Sequence, residues 1–316
     1  MIDLEHLRIA RLKILILFSF LYFHMMGQEL EPRSITNLPV GMNFVLGGYA
    51  YARVNTLLDP AFPIQEIDSR VHSLAGAYAR SINFFGLSSK VDVVLPYIAG
   101  YNEGEYLGRE IGLSRSGFGD LRMRFSFNFI GSKAMNVMEY QNYSPGLVSG
   151  ISVQLIAPTG FYSGEYLINI GANRWVVKPQ WGVAKNYKKW IFEGYLGVWL
   201  FGENKDFLQG NSLKQEPLYV IKGHVIRSLK NSKWLSLSAG YAMGGNTKIN
   251  DEARQTEISN LRLAFMYAIP LSKNSSLKFS AVSGIRFKKG TDYNGLAVVY
   301  QYNWIDKKQL MKLMPK

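Results

Sequence analysis

Residues 118–131, FGDLRMRFSFNFIG, alternate between apolar and polar side chains. The apolar row consists of Leu121, Met123, Phe125, Phe127 and Phe129, and the polar row of Arg122, Arg124, Ser126 and Asn128. A period of two is typical of a β-strand with two unlike faces, because successive side chains point to opposite sides of the strand. One face of this strand therefore requires an apolar environment, while the other carries charge.

The same alternation recurs in twelve segments of the chain, each about twice as long as the ~5–6 residues of a usual strand. A tilted strand needs ~9–11 residues to cross the hydrocarbon of a bilayer, and an even strand number is typical of bacterial outer-membrane barrels. A soluble sandwich explains neither the strand length nor the two unlike faces. We therefore predict an all-β fold, a transmembrane antiparallel up-and-down β-barrel of about twelve strands. The predicted strands are residues 42–54, 70–83, 87–98, 118–130, 147–157, 173–185, 190–201, 217–229, 233–243, 257–269, 276–287 and 293–304.

Connections between these segments alternate in length. Those after the second, sixth, eighth and tenth segments are short, whereas those after the first, third, fifth, seventh and ninth are long. Outer-membrane barrels have short periplasmic turns and longer external loops, so the pattern predicts that both termini lie in the periplasm. Two connections break the rule: residues 132–145 are long where a turn is expected, and residues 288–292 are short where a loop is expected.

The amino terminus has the form of an export signal. Basic residues precede an apolar run over residues 14–27, and a small residue, Gly27, ends it. The alternative, a membrane anchor, needs a longer run of ~20 apolar residues. We predict a cleaved signal peptide over residues 1–27, a periplasmic or lumenal strap over 28–41, the barrel over 42–304 and a basic periplasmic tail over 305–316.

Charge and composition restrict the partners. The chain has 36 Lys and Arg against 23 Asp and Glu, a net charge of +13, and no Cys. Removal of residues 1–27 leaves +12. The basic residues are scattered singly along strands, with no motif for nucleic-acid recognition. We therefore expect no nucleic-acid partner and attribute the charge to contact with outer-membrane lipid and lipopolysaccharide.

If the apolar rows face lipid, the opposite rows line the lumen. Arg or Lys on the lipid face at mid-membrane would cost ~2–4 kcal/mol, so the charged rows point inward. These residues either form a substrate path or neutralise acidic groups of the strap and loops, since buried charges need partners. The candidates are Arg122, Arg124, Asn128, Arg174, Lys178, Gln180, Glu193, Lys222, His224, Arg262 and Arg286.

The sequence contains no recognisable catalytic or metal site. Only His72 and His224 remain after removal of the signal, and no GxSxG motif surrounds a serine. Cys is absent and no acidic ladder suits a metal ion. We therefore predict no enzyme activity, no catalytic residue and no cofactor.

The connection PTGFYSGEYLINIGANRW, residues 158–175, is the third predicted external loop. Its glycines permit tight turns, and its aromatic centre suits a loop folded over or into the barrel mouth. Simple surface exposure is the alternative. The gate candidates are Phe161, Tyr162, Tyr166, Ile168 and Asn169.

Three short motifs carry a family resemblance: GFGD at 117–120, PTGFY at 158–162 and NIGANRW at 169–175. In their order and spacing, from Asn37 to Trp304, the chain resembles the transporter family of the meta-pathway of phenol degradation. That family is regarded as related to outer-membrane channels for long-chain fatty acids and aromatic hydrocarbons. The resemblance implies a barrel that passes hydrophobic or aromatic compounds inward.

Three functions follow as hypotheses. The first is passive uptake of small hydrophobic or aromatic compounds, gated by external loops. The alternatives are a general porin-like pore for small hydrophilic solutes, including anions, and a structural or adhesion barrel. We expect a monomer that is inserted by the barrel assembly machinery.

Overall fold

The structure is a computed structural model of the chain. The predicted signal peptide and residues 307–316 of the predicted tail lie outside the described residues. The described residues are 30–57, 66–106, 109–166, 169–208, 210–288 and 290–306.

Strands dominate the described part of the chain. The described residues include one five-residue α-helix, α1 (Val137–Gln141), and one short 3-10 helix, Lys230–Ser232. No helix among the described residues is long and apolar enough to cross a membrane. The strands are β1 (Met42–Leu57), β2 (Glu66–Phe84), β3 (Leu87–Tyr106), β4 (Arg109–Phe118), β5 (Leu121–Ile130), β6 (Leu147–Ala157), β7 (Val176–Tyr187), β8 (Trp190–Phe201), β9 (Asn204–Phe207), β10 (Asn211–Gln215), β11 (Leu218–Ser228), β12 (Trp234–Gly244), β13 (Thr247–Ile249), β14 (Glu252–Ala253), β15 (Ile258–Pro270), β16 (Ser275–Arg286) and β17 (Gly290–Ile305).

Twelve strand positions close into one antiparallel barrel. Neighbours follow the order β2, β1, β17, β16, β15, β12, β11, β8, β7, β6, β5, β3, and β3 pairs back to β2. The last strand meets the first along its whole length, from Met42 opposite Ile305 to Leu57 opposite Gly290. The predicted twelve-stranded barrel is therefore confirmed, and the pairing of β1 with β17 leaves neither the first nor the last strand with a free edge.

The prediction of an external loop over residues 99–117, after the third strand, is wrong. The third strand instead runs on to Tyr106, and β4 returns antiparallel beside it. β4 then continues into β5 across a break at Gly119 and Asp120, where the Gly119 N–H donates to the Pro96 carbonyl at 2.8 Å. The Gly- and Ser-rich sequence is typical of a turn, but the paired backbone of β3 overrides that weak local preference.

The predicted long connections after β8 and β12 contain short strands of their own. They contribute β9, β10, β13 and β14, which form a separate four-stranded sheet in the order β14-β13-β10-β9. Leu213 of β10 lies opposite Ile249 of β13, and both side chains are buried. The external end of the barrel therefore carries a packed cap.

The long periplasmic connection, residues 131–145, has a structural reason for its length. It pairs with the segment that precedes β1, where the Val40 N–H donates to the Met135 carbonyl at 2.8 Å. Asn37 Nδ2 donates to the Gly131 carbonyl at 2.9 Å. A capping box between Asn136 and Glu139 begins α1. This connection thus supports the amino-terminal segment in addition to joining β5 to β6.

The outer surface of the wall is apolar. Leu237, Leu263 and Leu296 are 62%, 49% and 64% exposed, on three different strands. Apolar rows of this kind recur around the barrel, as in outer-membrane proteins whose outward rows contact lipid. The wall therefore presents its apolar face to the bilayer and its polar face to the lumen.

Candidate functional site

Residues 30–41, which we call the strap, lie inside the periplasmic half of the barrel. Glu31 Oε2 is 3.0 Å from Arg124 Nη2 on β5. On the other wall, the backbone N–H of Arg33 donates to Glu193 Oε2 of β8 at 2.8 Å. These contacts carry the strap across the lumen from one wall to the other.

Further contacts fix the middle of the strap. The Ile35 side chain is buried against Val148, Ala184 and Tyr195. Its carbonyl accepts from Asn128 Nδ2 at 2.8 Å. The strap thus fills part of the lumen, where Ile35 forms a small apolar cluster with the wall.

Four lumenal cations stack on aromatic rings instead of facing open space. Arg174, Lys178, Lys222 and Arg262 are each 6% exposed or less. Attraction between a cation and a ring face is favourable within ~6 Å, so these charges are covered by the wall itself. The pairs, measured from cation to ring centroid, are Arg174–Phe201 (4.6 Å), Lys178–Trp199 (4.6 Å), Lys222–Tyr195 (5.3 Å) and Arg262–Tyr293 (5.2 Å).

The extracellular half of the lumen contains a buried apolar cluster. It comes from the inward faces of six neighbouring strands, β6, β7, β8, β11, β12 and β15, so it covers about half of the inner wall. Its side chains are packed together and each is 5% exposed or less, so the cluster narrows this part of the lumen with apolar groups. Its members are Ile156, Val176, Trp199, Leu218, Val220, Ala242 and Ile258, with Phe201 packed against them.

The remaining lumenal candidates are distributed over several strands. Arg122 lies on the inward row of β5 and Gln180, 7% exposed, on that of β7. His224 Nδ1 lies 2.7 Å from Ser238 Oγ on β12. Arg286 lies near the external rim, where its Nη1 donates to Asn55 Oδ1 at 2.8 Å. These residues do not form one polar site.

Asp120, in the break between β4 and β5, holds the loop of residues 158–175. Gly160 N–H donates to its Oδ1 at 2.9 Å, and Ala172 N–H donates to its Oδ2 at 2.8 Å. The side chain is 1% exposed. Burial raises the pKa of the Asp120 carboxyl, and these two N–H donors oppose that shift. One carboxylate therefore clamps both ends of the loop.

The glycines of this loop act through close approach. A Cβ on Gly160 would lie 2.8 Å from the Gly171 Cα, and a Cβ on Gly171 would meet the Gly160 carbonyl carbon at 2.8 Å. Neither glycine has a positive φ, although Asn173 does, at 51°. The expectation that these glycines serve tight turns is thus wrong for this pair, because contact between two backbones requires them.

The three sequence motifs meet at this clamp. The Phe161 N–H donates to the Phe118 carbonyl at 2.8 Å, and the Gly171 N–H donates to the Phe161 carbonyl at 2.9 Å. The Phe161 side chain covers Gly117, where a Cβ would lie 2.9 Å from it. GFGD, PTGFY and NIGANRW are therefore one structural unit at the barrel mouth.

The predicted gate residues lie at different places around this unit. Phe161 is 47% exposed. The Tyr162 hydroxyl donates to the Asp206 carbonyl at 2.8 Å and accepts from Asn204 Nδ2 at 2.9 Å, which joins the loop to β9. Burial raises the pKa of the Tyr162 hydroxyl, so it remains a neutral donor.

The tip of the loop is closed by a side-chain amide. Asn169 Nδ2 donates to the carbonyls of Ser163 and Tyr166, each at 2.9 Å. The Arg115 guanidinium of β4 lies 4.1 Å from the Tyr166 ring centroid. Ile168, the remaining gate candidate, lies outside the described residues. The described part of the loop is thus ordered by its own contacts and by its neighbours.

Sequence reasoning missed the aromatic partners of the buried cations. Tyr195, Trp199 and Phe201 lie in WIFEGYLGVWLF, which is apolar on both faces and so gives no alternation to read. The only indication was sequence spacing: Tyr195, Trp199 and Phe201 are each an even number of residues from Glu193, which places them on the same inward row. The role of Asp120 had no comparable indication in the sequence, since its loop partners are 40 and 52 residues away.

Comparison with known proteins agrees with this architecture. The sequence model of the family described as "Putative MetA-pathway of phenol degradation" matches residues 33–302. No curated protein matches the chain. Among solved structures, an outer membrane channel from Pseudomonas putida F1 is 18% identical, with a TM-score of 0.74 over 87% of this chain and 100% of that one.

A second solved structure is more distant. The transport unit of the autotransporter AIDA-I from Escherichia coli is 7% identical, with a TM-score of 0.50 over 93% of this chain and 96% of that one. At these identities the likeness concerns the fold. Together with the apolar exterior, that fold places the barrel in the outer membrane of a Gram-negative bacterium.

Proposed function

Because the chain belongs to the family described as "Putative MetA-pathway of phenol degradation", we propose that it is an outer-membrane channel for passive uptake of small hydrophobic or aromatic compounds. The observation that carries this proposal is the apolar cluster on the extracellular half of the inner wall. A pore for hydrated ions needs polar surface there, whereas an apolar solute gains free energy on leaving water for such a wall.

The opposite side of the lumen supports the same proposal. Ala52 and Val54 of β1 and Val71 of β2 form a second buried apolar cluster there. Ile98 and Tyr293 pack against it. Apolar side chains therefore line both sides of the lumen.

The loop of residues 158–175 is the proposed gate. It is held at the mouth by Asp120 through the N–H groups of Gly160 and Ala172, and by Tyr162 on the side of β9. A few hydrogen bonds, each worth about 1 kcal/mol net, hold a loop closed while allowing it to open. Release of these bonds would open the mouth.

A porin for small anions is the second candidate, and one observation favours it. Lys90 and Lys278 in the periplasmic half have no carboxylate partner among the described residues. However, the four stacked cations of the lumen are covered by rings, which removes them from the path of an ion. The apolar wall therefore favours the channel for hydrophobic compounds.

Two measurements test the proposal, one on the refolded mature protein and one in cells that express it. In planar bilayers we expect little ionic current, since the lumen is narrowed by the strap and closed by the loop. In Gram-negative cells with intact lipopolysaccharide, expression of the protein should increase the entry rate of a labelled neutral aromatic compound such as phenol. A large, steady, anion-selective current would instead establish the porin, and an unchanged entry rate would reject the channel.

A further inference from the structure

A cavity of about 400 Å³ lies beside the strap in the periplasmic half of the lumen. Small-molecule sites usually have volumes of ~300–1,000 Å³, so this cavity suits a compact ligand and not a long chain. Its lining contains the apolar side chains of Phe44, Leu46 and Trp234 together with Lys90 and Lys278. In the strand order of the barrel these alternate, since Phe44 on β1 lies between Lys90 on β3 and Lys278 on β16, and Trp234 lies beyond Lys278 on β12. A ligand that contacts both kinds of side chain must itself have an apolar and a charged part.

The acidic groups of the cavity are already paired. Asp92 and Glu31 line it together with Arg124. Arg124 Nε lies 3.0 Å from Asp92 Oδ1, and Arg124 Nη2 lies 3.0 Å from Glu31 Oε2. A single guanidinium therefore binds both carboxylates.

Neither of the two ammonium groups in this cavity forms an ion pair with a described carboxylate, although Glu31 attracts both of them and Asp92 attracts Lys90. Lys90 Nζ donates to the uncharged carbonyl of Ser34 at 3.2 Å. Lys278, on the inward row of β16, has no hydrogen bond with any described residue. The lining has four basic side chains, Arg33, Lys90, Arg124 and Lys278, against two acidic ones, Glu31 and Asp92. An enclosed excess of positive charge is costly, so the cavity favours the binding of an anion.

Chemistry narrows the identity of that anion. The apolar side chains of the cavity disfavour a fully hydrated inorganic anion such as phosphate, because that ion would leave Phe44 and Trp234 without an apolar contact. Carboxylates accept hydrogen bonds from ammonium groups, and an aromatic ring fits against an aromatic and aliphatic wall. Both requirements are met by one small molecule.

We propose that this cavity binds small aromatic carboxylates, with the carboxylate on Lys278 and Lys90 and the ring against the wall of Phe44 and Trp234. The inference rests on the proposed function and names a substrate class for the same channel. The compound is thus an amphipathic anion, with its ring and its carboxylate both in this cavity.

Benzoate is the probe for this site, and benzyl alcohol is its neutral counterpart of similar shape. Binding to the refolded mature protein in a non-ionic detergent is measured by calorimetry and by quenching of Trp fluorescence. We expect benzoate to bind at least tenfold more tightly than benzyl alcohol. The difference should shrink as salt is raised, because salt screens the attraction of the two lysines.

Three substitutions identify the residues responsible. Lys278→Met should weaken benzoate binding at least tenfold, whereas Lys278→Arg, which keeps the charge, should largely preserve it. Lys185→Met, at an exposed position of β7, is the matched control and should have no effect. Folding of each variant is verified by its heat-modifiable migration on gels.

The outcomes separate this inference from the proposed function. Equal binding of benzoate and benzyl alcohol, or equal binding by the Met and Arg variants of Lys278, would overturn the carboxylate site. If phenol entry into cells is then still accelerated, the channel stands without the site. If benzoate binds as expected but entry is not accelerated, the site stands and the channel proposal fails.

Discussion

At the scale of single residues, Asp120 is the group on which the barrel mouth depends. Its carboxylate is buried, yet each oxygen accepts a backbone N–H from a different end of the loop at 158–175. Buried polar groups are tolerated when they are satisfied in this way. A strand break is what frees this side chain to turn toward the loop.

Asp120→Asn should loosen the loop. The amide replaces one acceptor oxygen by a donor, so either Gly160 or Ala172 retains a buried N–H without an acceptor, at a cost of about 1–3 kcal/mol. We expect faster chymotrypsin cleavage after the aromatic residues of the loop and a higher single-channel conductance.

The control is Asp251→Asn. Asp251 also lies in an external loop, but its side chain is exposed and paired with Lys214, and exposed ion pairs contribute ~0–1 kcal/mol. Equal cleavage rates for these two variants and the unmodified protein would show that Asp120 does not hold the loop.

Gly160→Ala should open the same contact by steric means. The added methyl would lie 2.8 Å from the Gly171 Cα and 2.9 Å from the Asp120 nitrogen, so the backbones must separate. We expect cleavage of the loop to increase at least as much as for Asp120→Asn. Gly146→Ala, where a Cβ meets nothing within 4 Å, should behave like the unmodified protein; a similar effect there would point to general destabilisation.

At the scale of elements, the strap is held by side-chain contacts with the wall and not by strand pairing. It is short and has no regular structure between Glu31 and Thr36, yet it is fixed by Arg124, Glu193 and Asn128. Each of these wall residues lies on an inward row. The polar rows of the barrel thus serve partly to bind a segment of the same chain.

Deletion of residues 30–38 should increase conductance. The strap occupies lumen volume, including the space where Ile35 packs on Tyr195, and its removal would let water and ions enter. Planar-bilayer recordings of the refolded variant measure the change. Thr36→Ala is the control, because the Thr36 side chain is exposed and the substitution keeps the bond from its backbone N–H to the Arg33 carbonyl. Unchanged conductance after deletion would mean that the strap does not restrict the path.

At the scale of the whole molecule, closure and the two unlike faces act together. The pairing of β1 with β17 satisfies the backbone along both strands, as a bilayer requires. The outward rows then contact lipid everywhere around the wall. The cost of a charged substitution on the outward face should therefore depend more on how deep the residue lies in the bilayer than on which side chains surround it.

A charge scan along β17 tests this orientation. Leu296→Arg, at an outward position near the middle of β17, should reduce the free energy of unfolding by ~2–4 kcal/mol, whereas Tyr302→Arg, nearer the periplasmic end, should cost ~0–1 kcal/mol. Urea unfolding from liposomes gives both values. Equal costs for the two variants would contradict the placement of the wall in the bilayer.

The sequence by itself determined the barrel. In segments such as FGDLRMRFSFNFIG and SNLRLAFMYAIP, the period of two assigns Phe125 and Leu263 to the outer face and Arg124 and Arg262 to the inner face. Such a pattern is local, since neighbouring side chains on a strand must point to opposite sides whatever the rest of the chain does. Strand number, strand direction and wall orientation followed from it.

Only the tertiary structure decided what the inward and loop residues do. Asp120 accepts hydrogen bonds from Gly160 and Ala172, and Lys178 stacks on Trp199, each through contacts between segments far apart in sequence. Lys278 likewise lines a cavity whose other residues come from distant strands. Alternation predicts which face of the strand a side chain occupies. It does not predict which residues of other strands or loops that side chain contacts in the lumen. Those partners are set by closure of the barrel and by the path of the strap, because both bring together residues that no local pattern connects.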